Sequence, residues 1–138
     1  MATVPKNRDI ANAWISYILG ELYSEWPRRL DFNAMDVGKA TGTEARWEDE
    51  TLFDDMIRWL QNNGYILVGQ EGDDWSVYGV ELTEKGYLLL GSKPESLSEP
   101  LGDKMKEAAK VGAAEAGKSV VSNLVGMLMT AGVAYLKG

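Results

Sequence analysis

The sequence predicts a mainly helical protein that contains one small β-hairpin and ends in a long helical segment. Apolar residues recur at helical spacing over 10–26 and over 53–60, and residues 103–136 contain no proline. Between the helical patterns, two segments rich in β-branched and aromatic residues flank an acidic turn at 71–74. The chain has 138 residues, which is enough for one domain with an appendage.

The first helix is predicted to begin at Asn7 or Asp9, either of which can cap it, and to end before Pro27. Its apolar residues follow three- and four-residue spacing, which places them on one face. They are Ile10, Trp14, Ile15, Ile18, Leu19, Leu22 and Trp26. A short strand is expected next, at Leu30–Phe32.

Two more helices are expected before the hairpin. The first covers 33–40 and is closed near Gly42. The second has a capping-box pattern at Thr51, although it can also begin nearer Trp47. Gly64 supplies the left-handed residue that ends it.

The predicted hairpin joins a strand at 65–68 to a strand at 75–80 through the turn at 71–74. Trp75 and Tyr78 have opposite parity on the second strand, so both cannot face the core of a regular strand. We expect one ring at the surface, where aromatic residues often dominate binding energy. The alternative is that a bulge or the C-terminal helix covers the second ring.

A final short helix, which Thr83 can cap, completes this part of the chain. The segment that follows is rich in Gly, Ser and Pro and is typical of a linker. The sequence therefore predicts three parts: a domain at 1–91, a linker at 92–102 and a C-terminal segment at 103–138. The last part is expected to form one long helix or two.

Two segments beside the hairpin identify a known pattern: Leu60–Ile66, where the third helix ends, and Leu82–Gly86, where the last short helix begins. With the order of the elements, they resemble the winged-helix domain of bacterial regulators of the MarR and PadR kind, over about residues 8–91. The resemblance implies that the third helix lies in the major groove of DNA and that the hairpin tip contacts the DNA backbone.

The charge of this region departs from that of a DNA-binding domain. Residues 31–91 contain four basic and thirteen acidic residues, a net charge of −9, and phosphates repel such a surface. We therefore expect an acidic winged-helix module that binds another protein as an adaptor or inhibitor. The predicted contacts are acids of the third helix and hairpin tip, with two aromatic rings: Glu48, Asp49, Glu50, Asp73, Asp74, Trp75 and Tyr78.

A DNA-binding transcriptional regulator is the alternative that the resemblance leaves open. Its affinity would depend on the few basic residues of the domain, because these displace counterions from DNA. The candidates are Arg28, Arg29, Lys39, Arg46 and Arg58.

The sequence contains no His and no Cys. It therefore has neither the commonest general base nor the commonest nitrogen and sulfur metal ligands. Motifs that cradle phosphates or expose a nucleophile are also absent. We expect no enzymatic activity, no cofactor and no metal. The first residues do not have the pattern of a signal peptide, so the expected location is the cytoplasm.

The C-terminal segment is uncharged from Ser119 to Leu136, a stretch that spans about 27 Å as a helix. Small residues recur every fourth position and permit close approach of a second helix. We expect self-association through Ser122, Gly126, Thr130, Ala134 and Leu128. Two alternatives remain: the segment packs on its own domain, or residues 119–136 anchor a membrane-associated adaptor.

Overall fold

The computed structural model describes residues 7–43, 47–111 and 117–137, with the backbone alone at 47–50 and 135–137. This part of the chain is mostly helical with a small antiparallel sheet, so the predicted fold class is confirmed. The helices are α1 (Asn7–Ser24), α2 (Ala34–Thr41), α3 (Trp47–Asn62), α4 (Glu84–Leu90), α5 (Leu101–Ala109) and α6 (Lys118–Lys137). The strands are β1 (Leu30–Asn33), β2 (Ile66–Leu67), β3 (Gln70–Glu71) and β4 (Ser76–Leu82).

The cap predicted at Thr83 is present, and Asn33, which was predicted as the first residue of its helix, caps that helix instead. The Asn33 side chain accepts a hydrogen bond from the Asp36 amide at 2.8 Å, which caps α2. Thr83 caps α4 by accepting from the Gly86 amide at 2.9 Å. The start of α3 at Trp47 shows that the capping-box pattern at Thr51 does not begin the helix.

The sheet has β4 at its centre, with β1 on one side and both β2 and β3 on the other. Leu30 pairs with Val80 and Phe32 pairs with Val77. An interval of two residues on β1 therefore lies opposite an interval of three residues on β4. Gly79 absorbs the extra residue with a φ of 62°, a conformation that glycine adopts without steric cost. This bulge allows both Val77 and Val80 to face the core.

One hydrophobic core runs through the described chain and includes the C-terminal helices. Helix α1 contributes a row of fully buried side chains, among them Trp14 and Ile18. Both α5 and α6 pack against α1, and their side chains Met105 and Leu128 are also fully buried. Of the alternatives for the tail, packing on its own domain is therefore observed in this chain.

Helices α1 and α5 approach each other closely at glycine residues, whereas Gly126 in the small-residue row of α6 faces open space. A Cβ atom added at Gly20 would lie 2.6 Å from the Cα of Lys106, and one added at Gly102 would meet the Tyr23 ring. Ala109 is also fully buried on α5. Small residues therefore allow close packing within one chain, between helices far apart in sequence.

A buried polar contact connects α1 to the end of α2. The Trp14 indole donates to the Thr43 hydroxyl at 2.8 Å, and that hydroxyl lies 3.0 Å from the Thr41 hydroxyl. The Trp14 ring also packs edge-on against Phe53 of α3, with ring centroids 5.8 Å apart. Trp14 thus links three helices around the core.

Candidate functional site

The tip of the hairpin exposes two aromatic rings rather than the one expected. Trp75 precedes β4 and is 42% exposed, while Tyr78 is on the outer face of β4 and is 41% exposed. The alternation of side chains between the two faces of a strand does not apply to Trp75, because this residue belongs to the turn and not to β4. The Tyr78 ring lies over Gly72, where an added Cβ would come within 2.8 Å of its edge.

Trp75 also has a positive φ of 56°, which a bulky side chain rarely adopts. Its carbonyl oxygen accepts a hydrogen bond from the Ala34 amide at 3.1 Å, so the turn is fastened to the start of α2. Such strained positions cluster at functional sites. Next to Ala34, the Met35 side chain is 62% exposed.

The predicted acidic contacts are only partly placed by the structure. Asp73 and Asp74 are exposed at the hairpin tip, and the Asp74 carboxylate accepts from the Ser76 hydroxyl at 3.1 Å. Glu48, Asp49 and Glu50 belong to the first turns of α3, but their side chains lie outside the described residues.

An acidic cavity of about 200 Å³ lies between α1, β1 and α2. Its lining combines three carboxylates with apolar and aromatic side chains: Tyr17, Glu21, Leu30, Asp31, Phe32, Asp36 and Val37. Burial raises the pKa of the Tyr17 hydroxyl, and the carboxylates of Glu21 and Asp36 raise it further. The sequence alone did not indicate this cavity, because its walls come from three separate elements.

The cavity adjoins the hairpin. One Asp31 oxygen accepts a hydrogen bond from the Gly79 amide at 2.9 Å, beside Tyr78. Where side chains are described, no group of three or more Asp and Glu residues is arranged to hold a metal ion. The cavity walls therefore combine carboxylates with aromatic and apolar side chains.

Helix α6 presents two different faces. The predicted small-residue row Ser122, Gly126, Thr130 and Ala134 is exposed. A Cβ added at Gly126 would meet no atom within 4 Å. Leu128 was predicted to belong to the same association face, but this is corrected: it is fully buried in the core of its own chain, because it lies with Leu124 and Val125 on the opposite face.

The exposed face of α6 combines small and polar residues, including Ser119 and Asn123, with apolar side chains on it and at its edges. Val120, Met129 and Val133 are 48%, 42% and 52% exposed. Met129 additionally lines an apolar groove of about 280 Å³ between α1 and α3, together with Leu52 and Trp59. The groove and the outer face of α6 therefore form one surface.

A larger apolar cavity of about 390 Å³ lies where the linker meets α5 and α6. Val120 and Leu124 line it with Leu97 of the linker. Among the described helices, none is long and apolar enough to cross a membrane.

The basic residues predicted for DNA contact are distributed over several elements. Arg28 and Arg29 are exposed after α1, and Lys39 is exposed on α2. The Arg29 guanidinium binds Glu81 at 3.0 Å, and that of Arg58 on α3 lies 3.3 Å from Asp54. Arg46 lies outside the described residues.

One exposed aromatic cluster was missed by the helix prediction. The spacing of apolar residues placed Trp26 on the buried face of the first helix. Helix α1 ends at Ser24, however, so Trp26 lies beyond the helix and is not on that face. Trp26 is 47% exposed and stacks on Tyr87 of α4, with ring centroids 4.2 Å apart. The proximity of Pro27 was the available signal that the helix ends earlier.

No protein-family model matches the chain, and searches of curated proteins and of solved structures found no similar protein.

Proposed function

We propose that this protein is a non-catalytic interaction module with a winged-helix core, which self-associates through the outer face of α6 and binds another protein through its acidic hairpin region. The observation that carries the proposal is the outer face of α6. This face carries the open Gly126 and the exposed Val133, with the exposed Met129 beside them and the exposed Val120 at the opposite edge. Exposed apolar surface of this kind marks interaction sites.

A second copy of the chain is the occupant that charge favours for this face. The protein has a net charge of −7, so most encounters between two copies are repulsive. Helix α6 has no charged residue between Lys118 and Lys137, and two copies can therefore bring this face together without opposing carboxylates. A two-fold axis across the helix would place Gly126 near its own symmetry mate.

The winged-helix part of the proposal is supported by the connectivity. A helix, a short strand, two helices and a hairpin follow in order, and β1 pairs beside the second hairpin strand, β4. The observations favour a protein partner over DNA for this module. Of its basic residues, Arg29 and Arg58 already pair with carboxylates, and the hairpin tip offers Asp73 and Asp74 to solvent.

Sedimentation velocity on the full chain tests the self-association. Val133→Lys places a charge on the outer face of α6 and should shift the protein to monomer. Leu88→Lys is the matched control, because Leu88 on α4 is equally exposed, at 51%, but belongs to a different element. If the wild type is monomeric at high micromolar concentration, or if both variants weaken association equally, the role of α6 is wrong.

A further inference from the structure

The hairpin tip, with its two exposed aromatic rings, adjoins the acidic cavity, which is lined by three carboxylates. We define the hairpin surface as Trp75 and Tyr78 together with the cavity carboxylates Glu21, Asp31 and Asp36. Two contacts make it continuous: the Trp75 carbonyl accepts from the first amide of α2, and Asp31 accepts from the amide that follows Tyr78. The rings are about two-fifths exposed, so they are accessible in the free protein.

The carboxylates of this surface form no ion pair with the basic residues that the structure describes. In the described part of the chain, no Lys or Arg forms an ion pair with Glu21, Asp31 or Asp36. Their hydrogen-bond donors are neutral: Asp36 accepts from the Asn33 side-chain amide at 2.8 Å, and Asp31 accepts from a backbone amide. Elsewhere, by contrast, Glu81 and Asp54 each bind an arginine.

We propose that the hairpin surface binds an arginine-bearing segment of a partner protein. The choice of a protein partner rests on the proposed function, and the choice of arginine follows from the chemistry of the surface. A guanidinium stacks flat on an aromatic ring and binds a carboxylate through two parallel hydrogen bonds. The hairpin surface offers both kinds of group, and its cavity of about 200 Å³ provides a recess for a side chain beside Tyr17 and Phe32.

Lysine matches this surface less well than arginine. Its ammonium group is compact and strongly hydrated, so it attracts carboxylates but cannot stack flat on a ring or bind a carboxylate through two parallel hydrogen bonds as a guanidinium does. A preference for arginine over lysine would therefore indicate that the exposed rings take part in binding, beyond the attraction between opposite charges. The positive φ of Trp75 also provides a clean variant, because asparagine tolerates this conformation and has no ring.

The test uses the full-length protein and a short peptide of arginine, glycine and serine. The same peptide with lysine or with neutral citrulline in place of arginine is titrated in parallel, and binding is followed by calorimetry. We expect the arginine peptide to bind most tightly and the citrulline peptide not at all. Trp75→Asn and Asp36→Asn should each weaken the arginine peptide by about tenfold.

Two control variants lie away from the hairpin surface. Trp26→Ser removes an equally exposed indole, and Glu95→Gln removes an exposed carboxylate of the linker; neither should change the affinity by more than about twofold. The proposal is overturned if the arginine and lysine peptides bind equally and Trp75→Asn has no effect, or if the arginine peptide does not bind.

The oligomeric state of each sample is measured alongside. If the wild-type protein self-associates but does not bind the arginine peptide, only this proposal is refuted. If the wild-type protein is monomeric and binds the arginine peptide, only the role of α6 is refuted. Preferential binding of duplex DNA over the peptides would contradict this proposal and the protein partner of the proposed function, but not the role of α6.

Discussion

Leu128→Ala and Gly126→Leu are two substitutions on α6 that should change the free energy of unfolding in opposite directions. Leu128 is fully buried, so its truncation removes apolar contacts and leaves a cavity; such changes cost about 2–5 kcal/mol. At Gly126 an added Cβ meets no atom within 4 Å. Leucine is a better helix former than glycine by about 0.5–1 kcal/mol, so the isolated chain should become slightly more stable.

Urea denaturation followed by circular dichroism measures both effects. The titrations are made at low protein concentration, where self-association contributes least to the apparent stability. Sedimentation of the same proteins at high concentration should show that Gly126→Leu weakens self-association, since the new side chain obstructs the close approach of a second helix. A cost of less than about 1 kcal/mol for Leu128→Ala, or a monomer destabilised by Gly126→Leu, would contradict the buried and exposed faces assigned to α6.

The remaining predictions concern other parts of the molecule. Gly20→Ala should lower the free energy of unfolding by up to about 2 kcal/mol, because its Cβ would meet the Lys106 backbone and overpacking outweighs the helix preference for alanine. Urea denaturation of this variant is compared with that of Gly126→Ala, which should not destabilise the protein. Equal changes in the free energy of unfolding for the two variants would contradict the prediction. Burial raises the pKa of the Tyr65 hydroxyl. As the pH rises, the unfolded chain therefore releases the hydroxyl proton at a lower pH than the folded protein does, and the free energy of unfolding should fall above about pH 10. Tyr65→Phe should make the fall shallower between about pH 9 and about pH 11, and an unchanged slope would exclude the role of this hydroxyl.

Much of the local structure was predictable because capping and turn residues act within a few positions of themselves. Gly42, Thr83 and Gly64 each mark a helix boundary that the structure contains. Of the two starts that the sequence left open for α3, the one near Trp47 is found, because the capping-box pattern at Thr51 is local and a helix that begins earlier overrides it. Trp75 was placed in a strand by its aromatic character, whereas the turn requires a left-handed residue there.

The contacts between distant segments were not predictable in the same way. Gly20 lies 82 positions before Gly102, and neither residue carries a local sign that α1 and α5 meet there. The acidic cavity is likewise built from three elements, so Glu21, Asp31 and Asp36 are separate surface acids in the sequence and neighbours only after folding.

Helix α6 shows how two competing patterns are resolved by hydrophobicity. Its small-residue row and its aliphatic row both repeat at helical spacing, and each is suitable for a helix contact. The aliphatic row, with Leu124, Val125 and Leu128, removes more apolar surface from water when it packs on α1, and it is the row found in the core. The small-residue row is left facing outward by the same rotation of the helix. Packing of the aliphatic row on α1 therefore turns Gly126 towards solvent. A substitution at Gly126 can change self-association without lowering the stability of the monomer.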